Sequence, residues 1–131
     1  MASSAAVGRS ILYLEDSPDD AARARQILES AGFCVEVVDT PSKALGRLRR
    51  GRYVALLIEQ RLRRFEGSEI VLQLRDLEIP LPPTYLVSGV GDRDVEDRAI
   101  ANGAAGIIHK GAEPAFAADL LLAVGVAPAR G

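Results

Sequence analysis

Tyr53-Val54-Ala55-Leu56-Leu57-Ile58-Glu59 decides the fold: the apolar residues run without a polar interruption and stop on a carboxylate. A run this short, rich in aliphatic and β-branched side chains, predicts a strand covered on both faces, as in a parallel sheet. Glu59 then stands at the carboxyl end of that strand. In open parallel sheets this edge, where strand order reverses, is where ligands and chemistry collect.

Upstream, Ile11-Leu12-Tyr13-Leu14 is a second unbroken apolar run, and it too ends on carboxylates, Glu15 and Asp16. Ser17-Pro18-Asp19-Asp20 supplies an N-cap hydroxyl, a proline at the first helical position and two first-turn acids, which together start a helix. The helix is expected to run to about Ala31, with Ala24, Ile27, Leu28 and Ala31 on one face and Gly32 closing it. Cys34 to Val38 reads as a strand. Thr40-Pro41 opens a helix with Leu45 and Leu48 inward, stopped by Gly51.

Downstream of Glu59 lies a basic loop with Arg61, Arg63 and Arg64, followed by a helix expected to bury Ile70, Leu74 and Leu77. Pro80, Pro82 and Pro83 exclude helix and lead into the strand Thr84-Tyr85-Leu86-Val87, which ends at Ser88. Residues 92–102 read as a charged, mostly solvated helix. Gly106-Ile107-Ile108 is the fifth strand, ending at His109-Lys110, and Pro114 begins the last helix. Strands and helices alternate five times, which implies right-handed crossovers and a doubly wound five-stranded parallel α/β sheet of flavodoxin-like order 2-1-3-4-5.

The 131 residues fit one domain, and a chain of this length buries roughly two thirds of its unfolded surface. The expected division is a leader over 1–9, one domain over 10–126 and a tail over 127–131. Hydrophobic residues at 48% and charged residues at 26% argue against disorder. A net charge of −2 argues against general nucleic-acid affinity. The single cysteine, Cys34, cannot close an internal disulfide and is expected as a buried, inert thiol. No apolar stretch is long enough to span a membrane, and the amino terminus lacks the apolar core of a signal peptide, so a cytoplasmic location is expected.

With strand order 2-1-3-4-5, the strand-end residues Glu15, Asp16, Glu59, Ser88 and Lys110 converge on one edge of the sheet. The carboxylates of Glu15, Asp16 and Glu59 can hold a hard cation such as Mg²⁺, which takes one or two carboxylates plus waters and phosphate oxygens. Lys110 and Ser88 would then contact a phosphoryl group in flight. Lysine occurs only twice among the 16 basic residues, which singles out Lys110. His109 is expected to point away from the site by strand alternation.

Glu15-Asp16, Gly67 eight residues past Glu59, Ser88, the Asn102-Gly103-Ala104 turn and Lys110 stand in order at strand ends. In these residues the chain, over about 10–124, resembles the receiver domains of two-component response regulators, of the single-domain chemotaxis kind. The resemblance implies an aspartate at the end of the third strand that attacks a phosphohistidine on a partner kinase, with Mg²⁺ held by the acidic pair. This chain departs from the pattern. Glu59 occupies the acceptor position, Arg63 replaces a proline, Ile107 replaces the aromatic switch residue and Gly111 replaces the proline after the lysine.

Glutamate is one methylene longer than aspartate, so its carboxylate sits on the order of 1 Å from where in-line attack needs it, a displacement that costs about a hundredfold in rate. The longer acid is instead placed to reach Lys110 and supply a permanent negative charge. The imitation of a phosphoryl group is incomplete, because a carboxylate carries less charge and fewer acceptor oxygens. The expectation is a stand-alone, non-enzymatic signalling module that binds a protein partner, a histidine kinase or a downstream protein, without depending on phosphorylation. The competing readings are an active Mg²⁺-dependent phosphoacceptor and a structural dimerisation module with a vestigial site. Over 115–126, Phe116, Leu120, Leu121, Leu122 and Val124 cannot share one helix face, which points to a homodimer or a docked partner there. The arginines of 47–52 and 61–64 read as solvated faces, with an acidic protein partner as the alternative.

Overall fold

Five strands and five helices alternate along the computed structural model, which describes residues 8–89, 91–112 and 114–126. They are β1 (Ser10–Leu14), α1 (Pro18–Ser30), β2 (Cys34–Val38), α2 (Pro41–Arg50), β3 (Ala55–Glu59), α3 (Gly67–Asp76), β4 (Thr84–Ser88), α4 (Arg93–Ala101), β5 (Gly106–His109) and α5 (Ala115–Ala123). All strand pairs are parallel, in the order β2-β1-β3-β4-β5. The expected tail and residues 1–7 of the expected leader lie outside the described residues. Among the described residues no helix is long and apolar enough to cross a membrane.

Strand alternation sorts the core into two layers. Leu12, Leu14, Leu56, Ile58 and Leu86 pack with residues of α2, α3 and α4. Ile11, Tyr13, Leu57, Val87 and Ile108 pack with Ala24 and Leu28 of α1 and with Phe116 and Leu120 of α5. Every residue of β3 is buried, as its unbroken apolar run demands. The strand itself starts at Ala55; Tyr53 and Val54 precede it, half-buried.

The helix starts follow their caps. Ser17 accepts a bond from the Asp20 amide at 3.4 Å and Thr40 one from the Lys43 amide at 3.2 Å, each ahead of a proline at the first helical position. The start of α3 has no side-chain cap on its own N-cap residue. Gln60, 6% exposed, reaches across instead and accepts the Ser68 amide at 2.8 Å.

Two burial expectations are corrected. Cys34 is exposed: it opens the edge strand β2 on the side opposite Val35, and on that side the core takes in Val38 at the far end of the strand but not Cys34 at its start. Leu77 is 47% exposed, because α3 ends at Asp76 and the residue falls on the cap; Val71 takes the buried place beside Ile70 and Leu74. On α5 only Phe116 and Leu120 are fully buried, while Leu122 is 64% exposed.

Candidate functional site

The alternation that builds the core also aims the site. Glu15 continues the Tyr13 side of β1 and Glu59 shares the Leu57 side of β3, so both carboxylates leave their strands toward the α1 and α5 layer. Asp20, in the first turn of α1, overhangs the same strand ends. One carboxylate oxygen from each of Glu15, Asp20 and Glu59 lies within 4.8 Å of the others. Lys110 follows β5 and its amide donates to the Ser88 carbonyl at 2.7 Å, which fixes the start of the loop that carries it.

The Lys110 ammonium donates to all three acids: to Glu15 Oε1 at 3.2 Å, to Asp20 Oδ2 at 2.7 Å and to Glu59 Oε1. Glu15 and Glu59 are nearly sequestered, at 2% and 4% exposure. The other Glu59 oxygen accepts the Arg61 amide at 3.3 Å. One carboxylate therefore ties the end of β5 to the turn after β3. Ser88, 3% exposed, donates its hydroxyl to the Gly89 carbonyl at 3.1 Å and lines the same cavity of about 1040 Å³ as Glu15, Asp20, Glu59 and Lys110.

Asp16 stands elsewhere. It continues the opposite side of the alternation, and its carboxylate accepts the Arg63 amide at 2.7 Å, anchoring the turn after β3 to the end of β1. The structure thus brings Glu15, Glu59, Ser88 and Lys110 together and replaces Asp16 by Asp20 in the carboxylate cluster. The partial signal for Asp20 was the closeness of the helix start to the end of β1, which lets one of its two first-turn acids, Asp20 and not the exposed Asp19, reach over that end. His109 turns away and contacts Glu96 at 3.1 Å. The Lys110 loop is braced from outside, where Arg23 donates to the Gly111 carbonyl at 2.7 Å and lies 4.5 Å from the centre of the Phe116 ring.

The charges are tightly coupled. Burial pushes the Glu15 carboxyl up to about 7, against the opposing pull of Lys110. Burial pulls the Lys110 ammonium down, but its bonds to Asp20 and Glu59 outweigh that and hold it above the ordinary lysine value. Tyr13, wholly buried beneath the site, is raised by burial and then by the Glu15 charge.

The sign for Glu15 follows from linkage. A carboxyl raised on folding favours the folded state fully below its unfolded value of 4.5, and that advantage disappears as the pH rises to about 7. Glu15 should therefore lower stability by on the order of 2 kcal/mol between pH 4.5 and pH 7.5. Urea unfolding in a chelating buffer reads this directly. The slope should flatten in Glu15→Gln; an unchanged slope would place the titration elsewhere.

A doubly wound sheet carrying an acidic pocket, a strand-end hydroxyl and a lysine at its carboxyl edge is the architecture of a receiver. The family model described as "Response regulator receiver domain" matches residues 11–121, and the chain belongs to that family. The solved receivers most like it include a CheY-like receiver domain protein from Methanospirillum hungatei, 25% identical, with a TM-score of 0.73 over 88% of this chain and 89% of that one. The chemotaxis response regulator CheY4 of Vibrio cholerae is 20% identical, with a TM-score of 0.76 over 89% of this chain and 98% of that one. The Francisella response regulator 1452 receiver domain is 18% identical, with a TM-score of 0.76 over 89% and 93%. No curated protein matches the chain significantly. Receiver domains are generally non-enzymatic signalling modules that interact with partner proteins and bind Mg²⁺ at an acidic pocket.

Proposed function

We propose that this chain is a receiver-type module of a two-component system that signals by binding a protein partner and does not depend on phosphorylation. The observation that carries this reading is the bond from the Lys110 ammonium to the Glu59 carboxylate. In a phosphorylated receiver the lysine contacts the phosphoryl group. Here a fixed side chain already holds that ammonium, and its second oxygen holds the Arg61 amide. Glu59 is thus occupied on both oxygens, one methylene beyond the position of an attacking aspartate.

The donor set suits Mg²⁺: Glu15, Asp20 and Glu59 offer clustered hard oxygen ligands. These residues would hold the ion, which supplies charge neutralisation at an incoming phosphoryl group. Lys110 bonds the same three carboxylates, so ion and ammonium share them. For the partner, the apolar character of α5 and the resemblance to receivers together point to the face of α4, β5 and α5. Leu122 and Ile100 remain 64% and 46% exposed there, an apolar surface suited to a docked protein or a second copy of the chain.

Intact-mass measurement after incubation with acetyl phosphate and Mg²⁺ tests the proposal. Glu59→Asp should gain one phosphoryl group and the wild type none. A modified wild type would establish a working phosphoacceptor instead.

A further inference from the structure

The turn after β3 is built more firmly than a surface loop requires. Arg61 and Glu66 form an isolated antiparallel bridge, and the Leu62 amide donates to the Phe65 carbonyl at 3.1 Å. Two carboxylates from outside then hold it, Glu59 on the Arg61 amide and Asp16 on the Arg63 amide. What this rigid turn presents is three exposed guanidiniums, Arg61, Arg63 and Arg64, and a phenyl ring, Phe65, that is 43% exposed. Among the described residues no carboxylate pairs with these guanidiniums, whereas Arg25, Arg47 and Arg75 each meet an acid.

The charge is concentrated rather than general. Residues 43–64 hold eight of the 16 basic residues and one acid, Glu59, so the rest of this net-acidic chain is strongly negative. We infer that residues 61–66 form a docking surface for an acidic segment of a partner protein, with Asp or Glu side chains on the arginines and an apolar side chain against Phe65. Arginine forks pair carboxylates in a fixed plane, and a preformed turn loses little freedom on binding. A long polyanion fits less well. Arg61 and Phe65 line the cavity that also holds Glu15, Asp20 and Asp92, so a nucleic-acid backbone leaving the turn would run onto negative charge. This surface deepens the proposed partner-binding function and rests on it.

The test is fluorescence anisotropy of the full chain with a labelled peptide of Glu-Asp-Leu repeats, at low and moderate salt. The wild type should bind, more weakly as salt rises. Arg61→Glu/Arg63→Glu/Arg64→Glu should weaken binding at least about tenfold, and the milder Arg63→Gln/Arg64→Gln in the same direction. The control Arg49→Glu/Arg50→Glu/Arg52→Glu makes the same change in net charge on α2 and the segment after it, and should change binding less than about twofold. Equal losses in both triple variants, or no binding by a folded wild type, would overturn the surface. An oligothymidylate bound as tightly as the peptide would overturn it in favour of nucleic acid. Failure of the proposed function shows separately, as a phosphoryl group on the wild type in the mass measurement.

Discussion

Replacing Lys110 by methionine should destabilise the protein by about 3 kcal/mol at pH 8, because it removes the cation from a buried charged cluster and leaves the acids behind. Glu15 and Glu59 have 1% and 5% of their side-chain surface exposed, so water cannot take the place of the ammonium. Asp20 is 42% exposed and contributes less. The loss should shrink as the pH falls. Without Lys110 the Glu15 carboxyl, already raised by burial, loses the charge that pulls it down, and an acid raised on folding stabilises the folded state increasingly as it takes up its proton. Urea unfolding at pH 5 and pH 8 gives the comparison. A deficit that is equal at both pH values would mean that Lys110 contributes packing and not charge. Millimolar Mg²⁺ should recover part of the loss at pH 8, since a divalent ion on Glu15, Asp20 and Glu59 replaces the missing positive charge.

The second large effect is expected at Gly67. The first residue of α3 packs directly on the last residue of β3, and an added Cβ would overlap the Glu59 carbonyl oxygen and stand 2.9 Å from both the Glu59 carbonyl carbon and Leu86 Cδ1. The obstruction is mainly backbone, held in the sheet, so no rotamer change relieves it. Gly67→Ala should therefore cost about 3 kcal/mol, at the upper end of overpacking penalties. It should also displace Glu59 from Lys110 and loosen the Arg61 turn. A stability within about 0.5 kcal/mol of wild type would show that α3 can slide away from the strand.

The spacing of Glu59 and Gly67 was legible through the resemblance to receivers, and the structure gives its physical reason, the close approach of the start of α3 to the end of β3. The central strands were equally legible, since burial on both faces removes the polar residues that make other segments ambiguous. Cys34 was not. Both sides of this edge strand carry core residues, and nothing in Cys34-Val35 announces that the core stops short of the first residue on one side. Within the site, Glu15, Glu59, Ser88 and Lys110 could be found as strand-end residues, whereas Asp20 was hidden by a second role that explained it completely, the acidic first turn of α1. Asp16 shows the converse, a strand-end acid whose side of the alternation carries it to the Arg63 amide. Gln60 left no signal at all, because capping α3 from the preceding turn depends on tertiary approach.

The most direct test of the central claim uses the scarcity of lysine. Lys43 is exposed and Lys110 is enclosed by three carboxylates, so a ¹⁵Nζ spectrum of the lysine side chains in chelating buffer should contain one rapidly exchanging signal and one protected signal. If Glu59 holds the ammonium that would otherwise contact a phosphoryl group, the protected signal should shift in Glu59→Gln and stay unchanged when acetyl phosphate and Mg²⁺ are added and then removed. A Lys110 signal indifferent to Glu59→Gln, or one permanently altered by the phosphodonor in the wild type, would contradict that account.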